Sequence, residues 1–147
     1  MKKLFVMLAM LMASFASARA FDFDGIDLNQ PFMKVAQEIS KRGYAYDSDR
    51  NCLKGICKGT EIYLSFNYVD VKKKGMVGQL IVEIPMKNAG EALHNVTELF
   101  NVIYHQVEQT PGIVSYEVDK DGTLLHLSQK DGSIILTYNT PYYKVKK

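Results

Sequence analysis

Residues 62–84 constrain the fold more than any other part of the chain. Ile62, Leu64, Phe66 and Tyr68 alternate with Tyr63, Ser65, Asn67 and Val69. That period of two gives an extended strand one strongly apolar face. Lys72-Lys73-Lys74-Gly75 supplies a turn, and residues 77–84 return with Leu80, Val82 and Ile84 on one side and Gln79 and Glu83 on the other. Two long strands joined by so short a turn are antiparallel. Their apolar face needs a cover, and the rest of the chain must provide it.

Two helical stripes do so. Phe32, Val35, Ala36 and Ile39 recur at three- to four-residue spacing, which predicts a helix over 30–42 with Asn29 as its cap, Pro31 in its first turn and Gly43 as its stop. Pro85 ends the strand before the second stripe. Ala92, Val96, Leu99, Phe100, Ile103 and Val107 predict a helix over 89–109, broken by Pro111-Gly112. A short strand is expected at 44–46, ahead of the polar turn from Asp47 to Asn51. Three more are expected at 113–118, 123–129 and 133–139, joined by the turn pairs Asp121-Gly122 and Asp131-Gly132. The order helix, strands, helix, strands is that of an α+β domain, with two helices packed on one face of a curved antiparallel sheet. Its halves read as a weak structural repeat of helix plus meander.

The first twenty residues read as an export signal rather than as part of this domain. Lys2 and Lys3 precede the apolar run LFVMLAMLMA, and Ala18-Arg19-Ala20 offers a small-x-small cleavage site. The run is about half the ~20 residues a bilayer span needs. The first cysteine is Cys52, so no lipid-bearing cysteine can open the product. The expectation is a single domain over 21–147, periplasmic or extracellular, with no stable membrane anchor. From residue 21 onward the chain holds fifteen basic and sixteen acidic residues, a net charge of −1 in place of the +2 of the whole. That balance gives no electrostatic case for a nucleic-acid partner.

Motifs that would carry chemistry are few. In CLKGIC, Lys54-Gly55 reads as a two-residue hairpin turn. Cys52 and Cys57 would then stand opposite each other, close enough for a disulfide; an oxidising compartment favours that bond, and two thiols are the alternative. Asp47-x-Asp49-x-Asn51 opens like a calcium loop, but Cys52 and Lys58 stand where a glycine and a bidentate glutamate are wanted. His94 and His105 are read on one helix, about 16 Å apart, too far to share a metal. No serine sits in a nucleophile elbow, and no glycine-rich loop precedes a helix to cradle phosphate. No cofactor, metal or catalytic residue is therefore assigned. Lys72-Lys73-Lys74 and the tail Lys144, Lys146, Lys147 are the basic runs. They read as solubilising, with anionic lipid or wall polymer as the alternative.

What remains is the sheet face the helices leave uncovered. Helices covering Leu64, Phe66, Leu80 and Val82 would leave Tyr63, Asn67, Gln79 and Ile81 outside, joined by His126 and Thr137 from the last strands. A polar and aromatic face can take a partner; ordinary solvated surface is the competing reading.

Phe23-Asp24-Gly25-Ile26 before a helix, the step Gly43-Tyr44, Leu53-Lys54-Gly55 with Gly59, and the antiparallel pair 62–84 together resemble small exported bacterial proteins of uncharacterised function. The likeness covers roughly residues 21–107. Beyond it Thr110-Pro111-Gly112 stands where that group has a Tyr-Gly-x-Pro-like exit from its second helix. The resemblance implies an architecture similar to β-lactamase-inhibitor proteins and outer-membrane assembly lipoproteins, folds that bind other proteins on an open sheet, and it brings no catalytic residues. The expected function is a non-catalytic binding module for an envelope protein or peptide. The alternatives are an envelope hydrolase with a site assembled from distant residues, or a self-associating envelope subunit.

Overall fold

A computed structural model describes residues 22, 23, 25–57, 59–72, 74–118, 122–130 and 132–143. The export signal read in residues 1–20 lies outside them. The described residues form two helices, α1 (Phe32–Lys41) and α2 (Ala89–Ile103), and ten strands. These are β1 (Asp22–Phe23), β2 (Ile26–Asp27), β3 (Ala45–Asp47), β4 (Cys52–Cys57), β5 (Thr60–Val71), β6 (Lys74–Pro85), β7 (His105–Thr110), β8 (Ile113–Glu117), β9 (Leu124–Lys130) and β10 (Ser133–Asn139). β1 and β2 make a small hairpin. The other eight strands form one antiparallel sheet in the order β3-β4-β5-β6-β10-β9-β8-β7. The α+β expectation holds.

The order shows a twofold plan. α1 is followed by the meander β3 to β6, and α2 by the meander β7 to β10. The last strand of each meander pairs with the last strand of the other, Val82 opposite Leu136 and Ile84 opposite Ile134. α1 packs by β6 and α2 by β9 and β10. Both helices bury their apolar stripes, Val35 and Ile39 from α1 and Ala92, Val96 and Phe100 from α2, against Leu64, Leu80, Val82, Leu127 and Leu136 of the sheet. Phe23, Ile26 and Leu28 enter the same core beside α1.

Local chemistry sets most of the boundaries. Gly43 has φ +90° and ends α1 by donating its N–H to the Ser40 carbonyl, 3.0 Å. Pro31, rather than Asn29, occupies the cap of α1; the Asn29 side chain accepts instead from the Tyr142 hydroxyl, 2.8 Å. β9 turns into β10 where expected, with Lys130 opposite Ser133 and Gly132 at φ +77°.

The second helix is shorter than its stripe. It stops at Ile103 and Tyr104 is extended, so Val107 is not on a helix but on the outermost strand β7. Two forces take the chain off the helical path. The Tyr104 ring packs edge-on to Phe100 at 5.5 Å and tilts against Tyr116 at 6.4 Å. Pro111-Gly112, read as a helix breaker, is a hairpin turn that sets Thr110 opposite Ile113.

The candidate functional site is the uncovered sheet face

Cross-strand register lays the uncovered face out in rows. One runs Lys54, Tyr63, Glu83, Ile135, Ser128; the next Ser65, Ile81, Thr137, His126, Ser115, Glu108; a third Asn67, Gln79, Asn139, Leu124, Glu117. The six residues expected on this face, Tyr63, Asn67, Gln79, Ile81, His126 and Thr137, all stand in these rows. Register brings Ile81, Thr137 and His126 side by side, and Asn67 beside Gln79, while Tyr63 lies one row away.

The first row borders a depression of about 400 Å³ lined by Arg50, Cys52, Tyr63, Ser65, Ile81, Glu83, Lys130 and Ile135. Its organiser is Arg50, which sequence reasoning placed only in a polar turn. The turn between β3 and β4 carries the guanidinium over the Tyr63 ring, 4.1 Å from its centre, where the ring's negative face attracts it. The same guanidinium lies 2.9 Å from Glu83 Oε2, and Lys130 Nζ is 3.9 Å from Glu83 Oε1. Glu83 is thus held between two cations, its side chain 19 % exposed against 48 % for Arg50. The Tyr63 hydroxyl donates to Glu61 Oε1 at 2.8 Å, a bond to a carboxylate that pushes the phenol up from its ordinary range. Tyr63 is itself only 8 % exposed, so what the stacked pair presents is chiefly the Arg50 guanidinium lying over the ring.

In the third row, Asn67 Nδ2 donates to Gln79 Oε1 at 2.8 Å, and Gln79 Nε2 donates to Asn139 Oδ1 at 2.9 Å. This amide ladder spans β5, β6 and β10. In the middle row, Ser115 Oγ and His126 Nδ1 are 2.6 Å apart. Burial pulls the imidazole below its ordinary value, with Glu108 opposing. Ser115 is 3 % exposed. β8 is paired on both sides, with a register shift on the β7 side beside the Glu108–Ser115 pair.

The cysteines do not form the expected hairpin. Residues 52–57 are one continuous strand, β4, and the turn comes afterwards: Cys57 faces Thr60 and Gly59 has φ +82°. Five residues apart on a strand, the two thiols point to opposite faces at roughly 16 Å, far beyond the ~4–7 Å between Cα atoms that a disulfide spans. Cys57 is buried under the helices, and Cys52 lines the depression. Gly55 explains the misreading. Its missing side chain makes room for the Tyr44 ring, which a Cβ there would strike. Burial pushes the Cys52 thiol up, Asp47 and Glu83 adding to it and Arg50 opposing.

The remaining candidates have ordinary partners. Asp47 Oδ1 accepts the Asp49 N–H at 2.9 Å, an Asx turn that occupies the calcium-like segment. His94 on α2 pairs with Glu98 at 3.2 Å, and His105 lies on β7 rather than on that helix. Among the described residues no three His, Cys, Asp or Glu side chains gather as a metal site, and no helix is long and apolar enough to cross a membrane. In comparisons with known proteins, no family model, curated protein or solved structure matches the chain.

Proposed function

We propose that this chain is an exported, non-catalytic binding module that receives an envelope protein or peptide on its uncovered sheet face. One observation carries the reading: on one uncovered face a stacked Arg50–Tyr63 pair borders a depression, and a bonded amide ladder stands two rows away. Aromatic and arginine side chains already held in place lose little freedom on docking, which is what makes them energetic centres of interfaces. Export, with cleavage near Ala20, is supported by the leader's charge, its apolar run and the small-x-small pattern at Ala18-Arg19-Ala20. The resemblance to small exported proteins of uncharacterised function, which implies an architecture similar to folds that bind proteins on an open sheet, points the same way.

The test is crosslinking of the tagged domain (Phe21 to Lys147) in whole cells, with mass spectrometry of what it captures. The expected result is one dominant envelope partner, lost in the double variant Tyr63→Ala/Gln79→Ala. Recovery of the bait alone would favour a self-associating subunit. The Ser115–His126 bond is the observation that favours an envelope hydrolase. Labelling of Ser115 by a serine-directed phosphonate, abolished in Ser115→Ala, would establish that reading and displace ours.

A further inference from the structure

The two outer edges of the sheet differ. β3 has three residues. β7 has six, all exposed, and among the described strands it pairs only with β8. Pro111-Gly112 is a two-residue turn, so Thr110 and Ile113 close it as the hydrogen-bonded pair. Gln109, in the next pair with Val114, then turns its N–H and C=O away from β8 and out of the sheet. No lysine or proline stands between His105 and Thr110 to blunt this edge.

Its surroundings are acidic and apolar. From Asn88 to Val118 the chain has no lysine or arginine, and its four glutamates, Glu91, Glu98, Glu108 and Glu117, are all exposed. α2 ends just before β7 with no basic residue in its last turn, so no side chain there offsets the negative end of its dipole. Val102, 85 % exposed, and Ile103, Val107 and Ile113 present apolar surface on or beside β7. A depression of about 280 Å³ lies between α2 and the β7–β8 hairpin, with Leu93, His94 and Thr97 on one side and Gln109, Thr110 and Val114 on the other. At its rim His94 pairs with Glu98 at 3.2 Å.

We infer that β7 accepts an extended, lysine- or arginine-bearing segment of a partner protein as a further strand of the sheet. In such an addition the open backbone groups supply hydrogen bonds and alternate side chains supply selectivity. Glu108 draws cations on the uncovered side, and the depression with Glu98 at its rim takes long side chains on the other. A second copy of this chain is the poorer occupant. Two such edges bring glutamates together, and the register shift between Gln106 and Glu108 bends both. A flexible segment follows one bend and carries the opposite charge. The inference goes beyond the sheet-face reading. It needs neither Arg50 nor Tyr63, and either surface can fail its test while the other passes.

The test takes protein from cells expressing the full chain. Its probe is a fluorescent, acetylated octapeptide of alternating lysine and valine. Anisotropy should show saturable binding that salt weakens, and amide hydrogen exchange should slow along β7. Glutamate in place of every lysine of the probe should abolish binding. So should N-methylation of all its amides, which keeps the charges and removes the N–H donors. Glu98→Gln/Glu108→Gln should weaken binding severalfold. Gln109→Pro, which removes an outward N–H and no bond to β8, should weaken it about tenfold. Should that variant fold poorly, the methylated probe asks the same question of the unaltered chain. No binding, or equal binding of the acidic or the methylated probe, would overturn the proposal. So would β7 amides already protected in a dimer without peptide, which would assign the edge to a second copy.

Discussion

The two faces of the sheet share the same strands and almost nothing else. On the helix-covered side, Leu64, Leu80, Val82, Leu127 and Leu136 are at most 1 % exposed. On the other side, side chains of the same strands are joined by ion pairs, an amide ladder and a cation–aromatic stack. Neighbouring residues of one strand therefore serve different ends: one holds the domain together, and the next displays it. Stability should fall steeply with changes on the first face and hardly at all with changes on the second.

The sharpest trial of that contrast lies within β5. Leu64→Ala is expected to cost about 2–5 kcal/mol of unfolding free energy, and Ser65→Ala, one residue on, less than ~0.5 kcal/mol. Chemical denaturation of the two variants measures both; equal losses would dissolve the distinction. A smaller effect is expected at Gly55. There Gly55→Val forces a side chain into Tyr44 and should cost about 1–3 kcal/mol, while Lys54→Val should be near neutral. Were residues 54–55 a surface turn, the two changes would differ little.

Smaller again is a pH effect across the two faces. Burial lowers the His126 pKa in the folded state, so the unfolded chain binds the proton more tightly. His126 then contributes stability that is whole above its ordinary pKa of 6.5 and is lost as pH falls toward the lower folded value. Denaturation midpoints should drop more on acidification in the parent chain than in His126→Gln; equal slopes would remove His126 as the source. A modest change is expected at Gln79→Leu. It breaks the amide ladder at a half-exposed site for about 1 kcal/mol or less, and its larger consequence should be on partner capture.

The alternation of residues 62–69 and 77–84 was legible because a strand's two-residue period depends on nothing distant. That alone sorted Tyr63, Asn67, Gln79 and Ile81 onto one face. The misreadings occurred where one residue type serves two purposes. Gly55 has the composition of a turn, but its smallness answers to Tyr44, a contact visible only once β3 and β4 are paired. Pro111-Gly112 ends a helix or makes a hairpin equally well, and the choice rests on Tyr104 meeting Tyr116 from β8. Arg50 carried no local signal at all. Its role arises because a turn near one edge of the sheet reaches Tyr63 and Glu83 on the next strands.

The pairing of β6 with β10 has a consequence in time. Among the described strands β10 is the last to be made, yet it lies in the middle of the sheet, and its partner residues on β6 precede it by roughly fifty to sixty positions. Each meander can form from near neighbours, but the seam must wait for β10. Until then β6 offers an unpaired apolar edge to any strand that reaches it. A chain cut short before Ser133 would keep that edge permanently. Its fate should be set less by lost stability than by how soon two such edges meet.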